Sequence, residues 1–437
     1  MNPPSPGPSA RKKILLALTA TVFWAYFAEF LVLLFFSLSV KHTLDYDYVA
    51  LFPKKLRVPD VQLYDVQARS RIALEHGIQY DTRSMLEYLD ALRITEKNAM
   101  PRFIALTEPL KDTVPPLVPM AGVSNTLTAL GNEGGRWISY KSDSHGFNNP
   151  VDLWKKNDVD MVIIGDSFCI GEDVEEKDNI AGCLRRRDFK VLNLGTAGAG
   201  PLTELACLKE YTSRINPKVV LWLFYEMNDL KDLHGGEKSS LMRYLTDGNY
   251  SQNLIDRQNH IDDVLKKSIE DQWKEEEKER RSTTRIFEEN RTDVLNKKNL
   301  LKLAKRFIGL WHLRYLRVRA RETAIGTEPS ELFFDILTKA DKFVHSRNGK
   351  FVFVYLPGQY RYNEIGLNQE TFLHRREIID GVRARGIPVI DIHEAFAKEE
   401  NPLLNFPFEL HGHYNEKGYA LTAQSILQGL KKLKLIP

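Results

Sequence analysis

The fold is decided by Met161-Val162-Ile163-Ile164, an apolar run that leads directly into Gly165-Asp166-Ser167-Phe168. A continuous apolar run, without polar residues at alternate positions, is typical of a parallel strand that is covered on both faces. A glycine after a strand permits a tight turn, and a serine placed there can present its hydroxyl group in a cleft. The segment therefore predicts a buried strand that ends at a candidate nucleophile, Ser167.

Four further apolar runs have the same character as the first. The five predicted strands are Asp160–Gly165, Lys190–Leu194, Val219–Phe224, Lys350–Leu356 and Pro388–Ile392. Stretches with helical character follow them, and this alternation is typical of a doubly wound α/β sheet. We therefore expect a three-layer α/β/α fold of the flavodoxin-like type, with a five-stranded parallel sheet. In such folds the reacting groups collect at the carboxyl ends of the strands.

The composition is that of an ordinary globular protein. The 437 residues include 61 Lys and Arg against 58 Asp and Glu, which gives a net charge of +3. This balance argues against a dedicated nucleic-acid binder, so no nucleic-acid partner is expected. Only three cysteines are present, Cys169, Cys183 and Cys207. They are too few for a disulfide scaffold and fit no CxxC metal spacing.

The amino-terminal segment predicts a membrane anchor. Residues 1–13 form a Pro- and Ser-containing tail that ends in three basic residues, and residues 14–40 are apolar apart from Glu29. A spanning helix needs about 20 apolar residues, whereas a cleaved signal peptide has an apolar region of only about 7–15. We therefore expect an uncleaved single-pass helix, with the tail in the cytoplasm and the remaining chain outside it.

The rest of the chain divides into two regions and an insertion. Residues 41–150 are irregular and are interpreted as a membrane-proximal lead-in region that packs on the main domain, without chemistry of its own. Residues 151–437 carry the predicted strands, interrupted by a helical insertion at 230–340. Within the insertion, 297–321 is basic and amphipathic. This stretch can contact an anionic membrane surface, or it can pack its apolar face on the α/β domain.

Three other segments supply candidate groups at or near strand ends. Asn193–Gly200 contains three glycines, which expose backbone amides to a ligand or simply form a flexible turn. The third strand ends in Glu226-Met227-Asn228-Asp229, where the Asn228 amide could donate to a developing oxyanion. His413 lies in a glycine-flanked loop before the last helix, which makes it a candidate base.

In their order and spacing, these segments resemble the SGNH (GDSL-type) hydrolase family. The four similar blocks are Gly165-Asp166-Ser167, Asn193–Gly198, Glu226–Asp229 and His413–Gly418. The resemblance covers roughly 151–435 and is closest to membrane-anchored bacterial members. It implies that Ser167 is the nucleophile and His413 the base. It also implies that the backbone amides of Ser167 and Gly198, with the Asn228 side chain, form the oxyanion hole, and that no metal or other cofactor takes part.

The group that orients His413 is left open by the sequence. The family usually has an acid two or three residues before this histidine, where this chain has His411 and Leu410. The candidates are therefore Glu409, Asp391 and His411, or a backbone carbonyl. Two neighbouring imidazoles disfavour joint protonation, so His411 is expected to lower the pKa of His413. A metal site on His411 and His413 would leave the serine blocks unexplained.

The expected function is that of a membrane-anchored serine esterase acting on an acyl ester, and the resemblance to anchored members implies an O-acylated glycan as the substrate. The resemblance places it in a bacterial inner membrane, with the amino terminus cytoplasmic and the main domain periplasmic. Two alternatives remain. One is an O-acyltransferase for a cell-surface polysaccharide that uses the same serine. The other is a catalytically silent module that binds glycan or serves as a scaffold.

Overall fold

The computed structural model describes residues 19–31, 66, 69–110, 116–156, 159–237, 239–271, 273–274, 328–362, 374–410 and 412–437. The chain divides into two units, and the one formed by Tyr46–Gln272 and Gly326–Pro437 carries the sheets. The described residues of the other unit are 19–31 and 273–274, with helical backbone. Among the described helices, none is both long and apolar enough to cross a lipid bilayer. Most of the predicted anchor at 14–40, and all of 297–321, lie outside the described residues.

The described residues contain eight strands, which form two sheets. A small sheet contains β1 (Met100–Pro101), β2 (Leu127–Gly131) and β3 (Ile138–Lys141) in that order. Within it, β1 is parallel and β3 antiparallel to β2. The large sheet contains β4 (Met161–Gly165), β5 (Val191–Asn193), β6 (Val219–Tyr225), β7 (Lys350–Leu356) and β8 (Val389–Asp391).

The large sheet confirms the predicted α/β architecture with five parallel strands. Its order is β5-β4-β6-β7-β8, and every neighbouring pair is parallel. The bounds of β7 are those predicted, and the ends of the other four strands differ from the predicted ones by at most one residue. Because β4 lies between β5 and β6, the loops after these three strands meet at one edge of the sheet, where the strand order reverses.

In the part of the chain that the structure describes, ten α-helices have defined bounds. They are α1 (Met85–Arg93), α2 (Ser167–Ile170), α3 (Ile180–Arg185), α4 (Pro201–Tyr211), α5 (Asp229–Gly236), α6 (Met242–Thr246), α7 (Glu331–His345), α8 (Arg375–Ala384), α9 (His393–Phe396) and α10 (Glu416–Lys432). The backbone is also helical over 258–271. Short 3₁₀ turns occur at Leu153–Lys156, Glu176–Asp178, Leu254–Asp256, Gln359–Tyr362, Pro402–Asn405 and Pro407–Glu409.

The core lies on both faces of the large sheet. Successive residues of β4 point to opposite faces, so Val162 and Ile164 belong to one apolar cluster and Met161 and Ile163 to the other. The first cluster also contains Met120, Phe147 and other buried residues that precede residue 150. Part of the lead-in region is therefore packed into the core beside the sheet, which brings the loop after β2 towards the strand ends.

Candidate active site

Ser167 stands at the junction of β4 and α2. Asp166 caps α2 by accepting a hydrogen bond on its side chain from the Phe168 amide at 2.9 Å, so Ser167 is the first helical residue. The helix ends at Gly171, whose φ of +83° is left-handed, and a Cβ there would lie 2.2 Å from that of Asn179. The Ser167 side chain is half-buried. The turn thus fixes the backbone of the serine while leaving its hydroxyl group accessible.

His413 reaches Ser167 from the loop before α10. Its Nε2 lies 2.7 Å from Oγ of Ser167. The two residues after His413 anchor the loop. The hydroxyl of Tyr414 donates to the Pro357 carbonyl at 2.6 Å. Asn415 caps α10 by accepting a hydrogen bond from the Gly418 amide at 3.0 Å. The structure therefore brings the predicted serine and histidine together, although they are 246 residues apart.

Glu133 holds the other side of the His413 ring. Its Oε1 lies 3.1 Å from Nδ1 of His413, and its Oε2 accepts a hydrogen bond from the backbone amide of His413 at 2.6 Å. An ionised carboxylate only accepts hydrogen bonds, so Nδ1 carries the proton. In the neutral imidazole, Nε2 is then the acceptor for the Ser167 hydroxyl. The close approach also requires Gly412, since a Cβ there would lie 2.1 Å from Oε2 of Glu133.

Glu133 is positioned by the loop that follows β2. Its backbone amide donates to Oδ1 of Asp173 at 2.7 Å. The preceding carbonyl, of Asn132, accepts a hydrogen bond from the hydroxyl of Tyr80 at 2.5 Å. A Cβ at Gly131 would lie 2.8 Å from Oδ1 of Asp173, so the end of β2 closely approaches the segment that carries Asp173. The carboxylate is thus delivered by the lead-in region, to which the sequence assigned no chemistry.

The expected acids are not the ones that contact His413 in the described residues. Asp391 forms an ion pair with Arg375 and accepts a hydrogen bond from the His393 amide at 3.0 Å. The backbone carbonyl of Glu409 accepts from the Gln359 side chain at 2.9 Å, and its carboxylate is not among the partners of His413. His411 lies outside the described residues. The acid comes from another segment because the fold places the loop after β2 closer to Nδ1.

Two more carboxylates surround the imidazole. Oδ2 of Asp173 lies 3.6 Å from Nδ1, and Oε2 of Glu172 lies 3.8 Å from Nε2. Glu172 is also paired with Arg102. The Asp173 side chain is buried on the Nδ1 side of the ring together with Glu133. His413 therefore faces three carboxylates, those of Glu133, Glu172 and Asp173.

The carboxylates of Glu133 and Asp173 determine the protonation state of His413. Burial by itself lowers the pKa of the imidazole, but the adjacent carboxylates of Glu133 and Asp173 raise it to about 10. The pKa of His413 is therefore raised, and the lowering expected from His411 concerns a residue that lies outside the described ones. For Glu133, burial raises the pKa, yet the charge and hydrogen bonds of His413 together with the charge of Arg69 outweigh burial and hold the pKa below its usual range. Burial and the Glu133 charge raise the pKa of Asp173.

The predicted oxyanion donors lie on the two loops that flank Ser167. Gly198, with a left-handed φ of +70°, follows β5, and the amide of Thr196 in the same loop donates to the Gly165 carbonyl at 3.1 Å. Asn228 follows β6 and stands immediately before α5; its Nδ2 donates to Oδ2 of Asp232 at 2.8 Å. Since β5 and β6 are the two neighbours of β4, both loops lie beside the serine turn.

Asn193 fastens the glycine-containing loop to the serine helix. Its Oδ1 accepts a hydrogen bond from the Gly195 amide, and its Nδ2 donates to the Cys169 carbonyl, both at 2.8 Å. The side chain of Asn149, from the lead-in region, donates to the Asn193 carbonyl at 2.8 Å. These contacts cross-link the segments that carry Ser167 and Gly198. All three cysteines are buried free thiols.

Glu226, in the third sequence block, is part of a buried ion pair. Its carboxylate accepts hydrogen bonds from Nε of Arg361 at 3.0 and 3.1 Å, from the Gly358 amide at 2.7 Å and from the hydroxyl of Tyr355. The Glu226 side chain is 0% and the Arg361 side chain 5% exposed. The pair links the end of β6 to the turn after β7, so Glu226 stabilises the strand ends beside the site.

Comparisons with known proteins were made for the whole chain. No family model and no curated protein matches it. Among solved structures, a chain from Desulfitobacterium hafniense DCB-2 assigned to the G-D-S-L family is similar at 12% identity and a TM-score of 0.34, over 62% of this chain and 100% of that one. A lipolytic G-D-S-L protein from Veillonella parvula DSM 2008 is similar at 12% identity and 0.33, over 62% and 97%.

A GDSL-like lipase from Bacteroides thetaiotaomicron VPI-5482 is similar at 10% identity and a TM-score of 0.31, over 64% of this chain and 90% of that one.

Proposed function

We propose that this protein hydrolyses acyl esters with Ser167 as nucleophile, His413 as general base and Glu133 as the group that orients His413. One observation carries the proposal: Oγ of Ser167 lies 2.7 Å from Nε2, and Nδ1 of the same ring lies 3.1 Å from a buried carboxylate. A hydroxyl group in contact with a base, with the base held by a third group, is the arrangement that activates a serine.

The geometry supports a two-step reaction. The neutral His413 takes the hydroxyl proton on Nε2 while Oγ of Ser167 bonds to the ester carbonyl carbon. The tetrahedral intermediate then collapses, the bond to the leaving alkoxide breaks, and Nε2 returns the proton to that oxygen. In the second step Nε2 of His413 removes a proton from water, which attacks the acyl carbon; the bond to Oγ then breaks, the acid is released, and Nε2 returns the proton to Oγ of Ser167. The proton on Nδ1 stays there throughout, held by its hydrogen bond to Glu133, and the Glu133 carboxylate stabilises the transient imidazolium.

The developing oxyanion would be held by the amides of Ser167 and Gly198 and by Nδ2 of Asn228. A primary amide has two N–H groups, and one of those on Asn228 is already donated to Asp232. That bond fixes the rotation of the amide and leaves the second N–H for the oxyanion. Donors that are fixed before the reaction stabilise the transition state without reorganisation, and one donor is worth about 2.7–4 kcal/mol.

We extend the proposal to location, from the apolar run at 14–40, and to substrate, from the resemblance to membrane-anchored bacterial SGNH hydrolases. Residues 14–40 would anchor the protein in a bacterial inner membrane, with the catalytic domain in the periplasm and an O-acylated glycan as substrate. Transfer of the acyl group to a sugar hydroxyl would use the same acyl-serine with a different acceptor. Fusion of alkaline phosphatase after residue 45 tests the topology: activity of the fusion is expected, and an inactive fusion would contradict an extracytoplasmic domain.

Hydrolysis is tested with the purified full-length protein in detergent. We expect release of acetate from a chromogenic acetyl ester and from an acetylated oligosaccharide, and its loss in Ser167→Ala. Mass spectrometry of added unacetylated oligosaccharide separates the two reactions. Acetate release without acetylated oligosaccharide supports the hydrolase. Acetylation of the oligosaccharide without acetate release overturns hydrolysis in favour of transfer.

A further inference from the structure

The Nδ1 side of His413 has the shape of a metal site. One ligand atom each from Glu133, Asp173 and His413 lies within 4.8 Å of the other two. Nδ1 is 3.1 Å from Oε1 of Glu133 and 3.6 Å from Oδ2 of Asp173. Zinc takes such N and O ligands at about 2.0–2.2 Å in a tetrahedron, whose edges are then about 3.3–3.6 Å. The two distances from Nδ1 match or nearly match these edges.

A second observation points to a ligand at this place. Oδ2 of Asp173 is buried and accepts no hydrogen bond in the described part of the chain. The side chain is 1% exposed, and its 3.6 Å separation from Nδ1 is too long for a hydrogen bond. The other oxygen, Oδ1, is already occupied by the Glu133 amide. A buried carboxylate oxygen without a hydrogen-bond donor is costly, and a cation between Oδ2, Oε1 and Nδ1 would satisfy it.

We propose that Glu133, Asp173 and His413 form an inhibitory zinc site that excludes the catalytic state. Binding of Zn²⁺ displaces the Nδ1 proton to solvent, and Nδ1, Oε1 and Oδ2 become the protein ligands. Two carboxylates balance the charge of the ion, and water completes the coordination.

The inhibition follows from the chemistry of the imidazole ring. With Nδ1 bound to the metal, the neutral ring carries its only proton on Nε2. That nitrogen then donates to Oγ of Ser167 and cannot take the serine proton. The effect on catalysis rests on the proposed function, whereas the binding of zinc does not. Zinc binding and serine reactivity can therefore be measured separately.

The binding test uses the full-length protein after removal of metals with EDTA. We expect calorimetric titration to show one Zn²⁺ per chain, and Co²⁺ to give the strong visible absorption of a four-coordinate site. Asp173→Asn and Glu133→Gln should each weaken the affinity at least tenfold. Ser167→Ala, which retains all three ligands, should bind as the unmodified protein does. So should Glu175→Gln, which removes a nearby exposed carboxylate. Unchanged affinity in both ligand variants, or no zinc binding, would overturn the site.

The inhibition test follows labelling of Ser167 by a serine-directed phosphonate. We expect stoichiometric Zn²⁺ to slow labelling at least tenfold and EDTA to restore it, with little zinc sensitivity in Asp173→Asn relative to its own metal-free rate. Zinc that binds to these residues but leaves labelling unchanged overturns the inhibitory role. Absence of labelling in the metal-free protein refutes the esterase proposal instead, and the titrations still decide whether the zinc site exists.

Discussion

Glu133 and His413 are 280 residues apart in the chain, and the carboxylate of Glu133 accepts hydrogen bonds from both Nδ1 and the backbone amide of His413. These two contacts fix the ring and the loop that carries it at the same time. Because Glu133 follows β2, the small sheet helps to position the carboxylate that contacts His413.

The role of Glu133 is tested by comparison with Glu409, one of the acids that the sequence left as candidates. Glu133→Gln keeps the shape but removes the charge that stabilises the imidazolium, so we expect kcat to fall about 10²- to 10⁴-fold. Glu409→Gln, the matched control, should leave kcat within about twofold of the unmodified protein. Steady-state hydrolysis of a chromogenic ester measures both. If Glu409→Gln lowers kcat and Glu133→Gln does not, the acid that orients His413 is Glu409, in the loop before the histidine.

The pH dependence of the reaction follows from the raised pKa of His413. Only the neutral imidazole accepts the serine proton, and Glu133 and Asp173 raise its pKa to about 10. We therefore expect kcat/KM to rise with pH through the alkaline range. Asp173→Asn removes one of the raising charges, so the rise should move to lower pH. Rates are corrected with Ser167→Ala, and a profile already level at pH 7, unshifted in Asp173→Asn, would contradict this electrostatic picture.

Asp232 is expected to act as a positioning residue through Asn228. Loss of the Asn228 amide in Asn228→Ala should lower kcat about 10²- to 10³-fold, since one oxyanion donor disappears. Asp232→Ala frees the amide to rotate, so kcat should fall by a smaller factor while KM stays nearly constant. The thermal midpoint of each variant is measured alongside. A fall in the midpoint that accounts for all the lost activity would make Asp232 merely structural.

The buried pair of Glu226 and Arg361 predicts a stability effect. Arg361→Ala leaves the Glu226 carboxylate, with a side chain that is 0% exposed, without its counter-ion. Loss of one partner of a buried pair costs about 3–5 kcal/mol in free energy of unfolding. Arg83→Ala is the control, because the Arg83 and Asp81 side chains are 46% and 23% exposed. An exposed pair is worth about 0–1 kcal/mol. Urea unfolding measures both, and equal losses would contradict the distinction.

The large sheet could be predicted because each strand is a short, continuous apolar run. The run from Met161 to Ile164 and its four counterparts need no long-range information to be recognised. Ser167 could be placed at the end of a buried strand, whereas its pairing with His413 is implied by the resemblance of the blocks to the SGNH family.

Glu133 could not be found in the same way. It is a single acid in a glycine-containing turn, Gly131-Asn132-Glu133-Gly134-Gly135, and such turns are common in loops. Its role depends on the packing of the lead-in region, through residues such as Met120 and Phe147, beside the sheet. The pKa of His413 was missed for the same reason, because the charges that raise it belong to Glu133 and Asp173.

The central claim, that His413 and Glu133 activate Ser167, is tested most directly by active-site labelling of the folded protein. The metal-free full-length chain is treated with a serine-directed phosphonate, and the modified peptide is identified by mass spectrometry. We expect one adduct per chain, on Ser167, at a rate that falls strongly in His413→Ala and in Glu133→Gln. A folded protein that forms no adduct on Ser167, or forms it equally fast without His413, would contradict the claim.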